Sequence, residues 1–315
     1  MSMTTTNSGH LIRSEIWSAE LKEVLEDDLQ GMRYVKWLSE FPDGDTFTIP
    51  SIGQATVRDY TEDEPIVYDP LDTGEFQFSI TEYVSSATYI TNKAKQDMFY
   101  MNQLVSEFVP KQRRAIDEHV ETNIMALQSG QTAANRNLIN GAPHRLVANE
   151  GGADDLMQPE DFAKALFSLK KANVPQTNLI AIVDPSVEYT MNTLTNLANV
   201  SNNPRWEGII ESGIATGMTF LKNIYGFDVY TSNYLADIAS ETVNSDAVTN
   251  GKANMFFSAE STVLPFVGAW RQMPMVDSEY NKDKQRDEYV TTARYGTKLY
   301  RPENLVVILS DPSVL

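Results

Sequence analysis

The chain has no cysteine and only three histidines among its 315 residues. Without cysteine it can form no disulfide, no thiolate metal site and no thiol nucleophile. The histidines, His10, His119 and His144, are far apart and have no second metal ligand at a suitable spacing. We expect His119 to be solvated on the polar side of a helix, beside Glu118 and Glu121. His144 is expected in a loop. The sequence therefore predicts no catalytic residue, no cofactor-binding residue and no metal ligand.

Long hydrophobic runs are also missing. No uninterrupted apolar stretch approaches the roughly 20 residues that a membrane helix needs. The first ten residues, MSMTTTNSGH, are polar, and the next segment is amphipathic and acid-rich, which is unlike a signal peptide. We therefore expect no membrane association, and a soluble protein that folds in a reducing cytoplasm.

Positive charge is scarce. The chain has 25 Lys and Arg residues against 43 Asp and Glu residues, for a formal net charge of -18. A surface this acidic argues against nucleic-acid binding through a general basic face. The one basic cluster consists of Lys111, Arg113 and Arg114. We predict that it is a solvated helix face, and the alternative is a contact with phosphate or with an acidic neighbour.

Motifs for catalysis are not found. Acidic residues adjoin one another at residues 62–64 and at Asp154 and Asp155, as expected by chance in a chain with 43 of them. The Asp-Gly-Asp at residues 43–45 lacks the spacing and the closing Glu of a calcium loop. The glycines of residues 208–217 match neither a phosphate loop nor a dinucleotide fingerprint. A metal-dependent hydrolase that uses the acidic loops is kept as an alternative from another class of protein.

The chain does have a long segment with helical spacing. Apolar residues recur at three- and four-residue steps over residues 97–129, namely at Met101, Leu104, Val105, Phe108, Ile116, Val120, Ile124 and Leu127. A continuous helix of this length would measure about 50 Å. Gly130 fits a C-terminal cap. Pro110 predicts a kink, or a short helix followed by a longer one that starts at the proline.

The segments before this helix have a different character. Residues 14–31 carry one apolar stripe, which predicts an amphipathic helix that Gly31 ends. Residues 46–49 and 76–80 alternate as strands do, and β character continues to residue 91. An acidic loop rich in Pro and Gly separates the two strands. We predict a long, projecting β-hairpin, and since a lone hairpin is marginally stable, we expect it to rest on a neighbouring copy.

After Gly130 the pattern alternates between helices and strands, which predicts a mixed α/β domain. Residues 131–152 are loop-like. Helices are predicted from Pro159 to Asn173 and from Pro185 onward. Strands are predicted at residues 179–183, 227–230, 255–257, 289–294 and 305–309.

Several segments resemble those of the major capsid proteins of tailed bacteriophages, which have the Hong Kong 97 fold. They are SEIWSAELKEVLEDDL, GDTFTIPSIG, YITNKAKQDMFY, YGFDVYTSNYL and EYVTTARYGTKLYRPENLVVIL, in this order along the chain. The resemblance implies an α+β fold. Its parts are an N-terminal arm, an extended β-hairpin loop (the E-loop), a long spine helix in a peripheral (P) domain, and a mixed α/β axial (A) domain.

The resemblance also implies a division of the chain. Residues 1–44 would be the N-terminal arm, residues 45–96 the E-loop and strands of the P domain, and residues 97–130 the spine helix. Residues 131–255 would be the A domain. Residues 256–315 would return to complete the sheets of the P and A domains.

The function implied is structural, and the protein is not expected to be an enzyme. It would self-assemble into the hexamers and pentamers of an icosahedral phage head in the virion, built in the host bacterial cytoplasm. Expected partners are further copies, a portal, a separate scaffolding protein, a decoration protein, and packaged double-stranded DNA bound without sequence specificity. The alternative within the same fold is an encapsulin-like nanocompartment shell that encloses an enzyme.

Overall fold

The structure is a computed structural model, which describes residues 29–38, 46–52, 73–97, 101–132, 134–152, 154–193 and 223–314, and the single positions 57, 59, 62 and 65. The helix predicted for residues 14–31 lies outside these residues, except at its end. Gly31, predicted as its stop, instead opens a one-turn 3-10 helix, Gly31–Tyr34. His10, residues 43–45 and residues 208–217 also lie outside.

The described strands and helices are numbered in chain order. The strands are β1 (Val35–Leu38), β2 (Thr46–Ile52), β3 (Thr73–Ser79), β4 (Glu82–Thr91), β5 (Leu138–Ile139), β6 (Ala142–Pro143), β7 (Arg145–Val147), β8 (Leu179–Val183), β9 (Phe227–Thr231), β10 (Asp237–Val243), β11 (Asp246–Ser258), β12 (Phe266–Asn281), β13 (Arg286–Leu299) and β14 (Val306–Ser310). The helices are α1 (Asn92–Asp97), α2 (Met101–Ala126), α3 (Pro159–Lys171) and α4 (Pro185–Thr193).

The first sheet has four strands in the order β1-β12-β13-β4. β12 and β13 form a long antiparallel hairpin that closes between Asn281 and Arg286. β1 runs parallel to the base of β12, whereas β4 pairs with the outer part of β13. The hairpin therefore extends well beyond the strand that flanks its base.

The second sheet has the strand order β7-β14-β11-β8-β9, with β10 paired to β11. All five residues of β8, LIAIV, are buried, as expected for a strand that has a neighbour on each side and is covered on both faces. The strands predicted at residues 179–183 and 305–309 are confirmed as β8 and β14. α3 begins at Pro159 as predicted, and Asn173 follows its end with a φ of 57°.

The second sheet is the shared wall of two hydrophobic cores. Leu179, Ala181 and Val183 of β8 point to one face, where they pack with α3 and α4. Ile180 and Ile182 point to the other face, where the core includes apolar residues of α2 and of the first sheet. This period-two alternation ties both sheets and α2 into one body.

α2 is a single helix of 26 residues with Pro110 inside it. The alternative of two helices that meet at Pro110 is therefore wrong. The described helix begins at Met101, and residues 98–100, which precede it in the predicted segment, lie outside the described residues. At the other end it stops at Ala126 and continues as a 3-10 turn through Gly130. A Cβ at Gly130 would lie 2.7 Å from Cδ2 of Leu299. This glycine therefore provides space for packing against β13 rather than a left-handed cap.

Six strands arise where the sequence predicted none, namely β1, β5, β6, β7, β10 and β12. The segment 131–152, predicted as a loop, contributes β7, which pairs in parallel with β14. β12 was not predicted, because Gly268 and Pro274 interrupt its alternation and its outer part carries charged side chains. β7 thus depends on a strand that is distant in the sequence, and β12 depends on both the distant β1 and its hairpin partner β13.

The predicted hairpin of β2 and β3 is confirmed by their antiparallel pairing. Its base rests on the first sheet, where Phe78 and Ile80 are buried against Val267. Gly296 on β13 makes this contact possible. A Cβ at Gly296 would lie 2.7 Å from the carbonyl oxygen of Ser79, which is closer than such atoms approach.

Gly296→Ala should therefore destabilise the subunit. The added methyl would also lie 3.0 Å from Cα of Ile80, so backbone has to move. We expect the free energy of unfolding to fall by about 2 kcal/mol, as for other overpacked sites. Urea denaturation of the unassembled subunit measures it. Ser85→Ala, at an exposed position of β4, is the control and should stay within about 0.5 kcal/mol. Equal stability of Gly296→Ala and the wild type would contradict the close contact.

Candidate assembly surfaces

His144 lies in a loop, as predicted, but it is fully buried. It lies between β6 and β7, and its Nδ1 is 3.0 Å from the carbonyl oxygen of Ala142. Burial lowers the pKa of His144 below its ordinary value. The imidazole is therefore neutral at pH 7, packed inside the body and away from any surface.

His119 is exposed as predicted, yet it also contacts the first sheet. Its Nδ1 lies 2.9 Å from the hydroxyl oxygen of Tyr295 on β13, to which Asn123 donates a hydrogen bond at 2.6 Å. Burial raises the pKa of Tyr295 to about 12. These contacts make a polar seam between α2 and β13, so His119 belongs to the packing of the helix on the sheet.

The paired carboxylates Asp154 and Asp155 form part of a turn. Asp154 accepts a hydrogen bond from the side chain of Asn149 at 2.8 Å. The pKa of Asp155 is raised, first by burial and then by the charges of Asp246, Asp311 and Asp154. Within the described residues, no group of three or more His, Cys, Asp or Glu side chains is arranged to hold a metal ion.

The basic cluster on α2 is partly neutralised on the helix itself. Arg114 pairs with Glu118 at 3.0 Å, and Glu118 also accepts a hydrogen bond from the hydroxyl of Tyr234 at 3.0 Å. Lys111 and Arg113 are exposed, as the prediction of a solvated face requires. Among the acidic residues 62–64 only one position, Glu62, is described, and it is exposed. No described helix is at once long and apolar enough to cross a membrane.

The outer part of the first sheet has one face on α2 and one face uncovered by the described residues. Thr291 of β13 points toward the helix, since its hydroxyl donates to Oε1 of Gln112 at 3.0 Å. Its neighbours Val290 and Thr292 point the opposite way.

Strand pairing sets Tyr83 beside Arg294 on that opposite face. We call this surface the distal sheet face; it comprises Tyr83, Tyr89, Met275, Val290 and Arg294.

The distal sheet face has the composition of a protein interface. Tyr83 is 65% exposed, Tyr89 57% and Met275 54%, although all three are large apolar side chains. Tyr, Met and Arg are enriched where proteins meet. The side chain of Arg286 lies 4.2 Å from the ring centroid of Tyr89, which holds that ring in place. A rigid sheet thus presents an aromatic surface suited to docking a protein.

The free edge of β12 is less suited to docking. On the side away from β13, the outer part of β12 pairs with no described strand. Pro274 supplies no N–H for a new strand, and Asp277 and Glu279 add charge at exposed positions. Such residues protect an edge against strand addition. The sheet is therefore built to be contacted on its face.

Arg145 fixes the second sheet to the end of α2. Its guanidinium is buried and donates to Oε2 of Glu241 on β10 at 2.6 Å and to Oε1 of Gln128 at 2.7 Å. The pairing is bidentate on the carboxylate, which gives it a defined geometry. This contact holds three elements in one arrangement.

A long helix, a hairpin that pairs with no other described strand, and an aromatic sheet face that the described residues leave uncovered are features expected of a structural subunit. The family model described as phage capsid protein matches residues 75–308 of the chain. The chain belongs to this phage capsid protein family. It is a major capsid protein, located in the virion capsid and self-assembling into a shell, and its role is structural and not enzymatic. The nanocompartment and hydrolase alternatives are not favoured.

Solved structures confirm the α+β capsid fold. A chain from Mycobacterium phage Che8 has a TM-score of 0.68 at 18% identity, with 94% of this chain and 96% of that chain covered. The capsid of the cyanophage P-SCSP1u gives 0.74 at 14% identity, with coverages of 98% and 95%. The capsid of Ralstonia phage GP4 gives 0.62 at 13% identity, with 98% of each chain covered. No curated protein matches the sequence significantly.

Sequence reasoning missed the residues that matter most. Glu121, placed on the polar side of α2 with His119, is fully buried. Its spacing was the available signal, because it lies one residue after Val120 and three before Ile124, within the apolar stripe. Tyr83 and Tyr89 lie six residues apart on one strand and so share a face, but only the structure shows which face is covered.

The buried His144 predicts a loss of stability in acid. Its folded-state pKa is lowered, so below about pH 6.5 the unfolded chain binds a proton that the folded chain resists. The resulting loss of stability is absent above about pH 6.5. The loss grows as the pH falls toward the folded-state pKa of His144, with a limiting slope of about 1.4 kcal/mol per pH unit.

Chemical denaturation of the unassembled subunit between pH 5 and 8 measures this effect. His144→Gln cannot take up the proton, so its stability should fall less steeply below pH 6.5 than that of the wild type. Ser85→Ala, which replaces an exposed residue and changes no titratable group, is the control and should retain the wild-type slope. Parallel pH profiles for His144→Gln and the wild type would contradict the assignment.

Proposed function

We propose that the chain forms the hexamers and pentamers of an icosahedral phage head that encloses double-stranded DNA. The distal sheet face carries the proposal. Tyr83, Tyr89 and Met275 are fixed by strand pairing and exposed in the isolated subunit. Burying them would release apolar surface from water at roughly 25 cal/mol per Å². For a capsid protein the partner at highest local concentration is another copy.

The hairpin of β2 and β3 supports the same proposal. Among the described residues these strands pair only with each other, and their base alone, at Phe78 and Ile80, is buried on the subunit. A hairpin with so little burial gains stability by resting on a second surface. We propose that this surface lies on the neighbouring subunit of a capsomer, and that residues 45–96 supply the E-loop and the P-domain strands.

The remaining parts are assigned from the two sheets. The first sheet with α2, the spine helix within residues 97–130, forms the proposed P domain. The second sheet with α3 and α4 forms the proposed A domain, from residues 131–255, and residues 256–315 contribute strands to both. Residues 1–44 are proposed as the N-terminal arm. β12 and β13 belong to the first sheet, whereas β11 and β14 belong to the second. This alternation supports a C-terminal segment that contributes to both domains.

Further partners are part of the same proposal. A portal, a separate scaffolding protein and a decoration protein are expected to contact the shell, which assembles in the host bacterial cytoplasm. DNA is held without sequence specificity. The formal net charge of -18 supports this, because an acidic wall does not bind phosphates tightly.

Electron microscopy of the expressed chain, alone and with its scaffolding protein, tests the proposal. We expect closed particles of uniform diameter. Tyr83→Lys places a charge on the distal sheet face and should lower the yield of particles at least tenfold, because a buried interface leaves the ammonium without solvent. The unassembled variant should keep its unfolding midpoint, since Tyr83 is exposed.

Tyr189→Lys is the matched control, because Tyr189 is 59% exposed on α4, away from this face. It should assemble in the wild-type yield. Wild-type chain that stays monomeric at every concentration and salt tested would count against a shell subunit. Full assembly of Tyr83→Lys would show that the distal sheet face is not a contact surface.

A further inference from the structure

Glu121 makes an unusual contact from the middle of the body. It is fully buried on α2. Its carboxylate accepts hydrogen bonds from three consecutive backbone amides, those of Gln30 at 2.9 Å, Gly31 at 2.6 Å and Met32 at 3.0 Å. The first two donate to Oε1 and the third donates to Oε2. These amides open the 3-10 turn that precedes β1.

This contact is specific because a buried carboxylate is costly without donors. Three N–H groups on one charged acceptor make short, charge-assisted hydrogen bonds, which are about twice as strong as neutral ones. An apolar residue at position 121 would fit the stripe of α2 but would leave the three amides without this acceptor. The carboxylate of Glu121 therefore satisfies the backbone amides of residues 30–32. This contact explains why an acidic residue lies within the apolar stripe of α2.

Gly31 allows the backbone of residues 30–32 to lie close to α2. A Cβ there would lie 2.9 Å from Cε of Met125, 3.2 Å from Oε1 of Glu121 and 3.2 Å from Cγ2 of Ile124. Only a residue without a side chain lets the backbone lie this close to α2. The glycine and the glutamate, 90 positions apart in the sequence, thus form one joint.

The chain after this joint is held as well. β1 pairs in parallel with the base of β12, and the ring of Trp37 stacks on that of Trp270 with centroids 5.2 Å apart. Gly268 makes room for the Trp37 ring, since a Cβ there would lie 2.7 Å from its Cζ3. Residues 30–38 are therefore fixed on the body from their first amide to their last strand residue.

We infer that Glu121 is a positioning residue for assembly. It fixes residues 30–32, which belong to the described part of the proposed N-terminal arm, on α2, and thereby the place at which that arm meets a neighbouring copy. The inference rests on the proposed function, in which that arm contacts a second subunit.

Glu121→Gln in the full-length chain tests this assignment. Glutamine has the same shape but only one acceptor oxygen, and its NH2 group faces a backbone donor. Hydrogen exchange of the amides of Gln30, Gly31 and Met32 is measured on the unassembled subunit. We expect exchange to be about ten- to a hundredfold faster, because charged hydrogen bonds are lost. The uniform particle diameter of the wild type should give way to a broad distribution, or particle yield should fall at least tenfold.

Asp117→Asn is the matched control. It removes the same charge from the same helix one turn earlier, where Asp117 is partly exposed and 4.0 Å from Arg113. Exchange at residues 30–32 and the particles should both remain as in the wild type. If Glu121→Gln does not fold, Gly31→Ala keeps the charge and opens the same joint by steric contact, with the same two readouts.

Each result decides the inference. Unchanged exchange at residues 30–32 in Glu121→Gln would overturn the joint. If either variant shows faster exchange at residues 30–32 but forms particles like those of the wild type, the role of Glu121 in assembly is overturned. A failure of the proposed function is distinguishable, because the wild-type chain would then form no particles, whereas the exchange comparison would still decide whether Glu121 holds these amides.

Discussion

The first sheet extends beyond the described residues of its own subunit that cover it, and the rest of the account depends on this constraint. α2 covers one face through contacts such as that of Gln112 with Thr291. On the other face, within the part of the chain that the structure describes, the hairpin base covers only the inner end. The distal sheet face is left with exposed tyrosine and methionine side chains. Because burial of apolar surface is the main stabilising term in association, the missing cover is most readily supplied by another protein.

The exposed surfaces are useful because the body behind them is rigid. The second sheet has a core on each face, and α2 takes part in one of them. Buried polar contacts then fix the orientation of the elements, since Arg145 joins the end of α2 to β10 and Asn123 joins α2 to Tyr295. A neutral hydrogen bond contributes only about 1 kcal/mol and a charged one about 1.5–3 kcal/mol, but each requires a particular arrangement of the elements that it joins.

Local signals made part of this fold predictable. The apolar run of β8, the proline that opens α3 and the alternation of β3 depend on neighbouring residues, and all three were placed correctly. β12 was missed because its stability comes from pairing with β13 and not from its own pattern. The need for glycine at positions 130 and 296 has a similar cause, because residues that are distant in the sequence leave no room for a Cβ there. The distal sheet face was invisible for a related reason: exposure depends on which elements cover a strand.

The central claim is that the distal sheet face is exposed in the free subunit and buried in the shell. Hydroxyl-radical footprinting can compare the oxidation rate of Met275 in the unassembled subunit and in purified particles. Met275 is a suitable probe because its side chain is exposed and methionine is readily oxidised. The account predicts oxidation at least several-fold slower in the particles. Equal oxidation rates in the two states would contradict it.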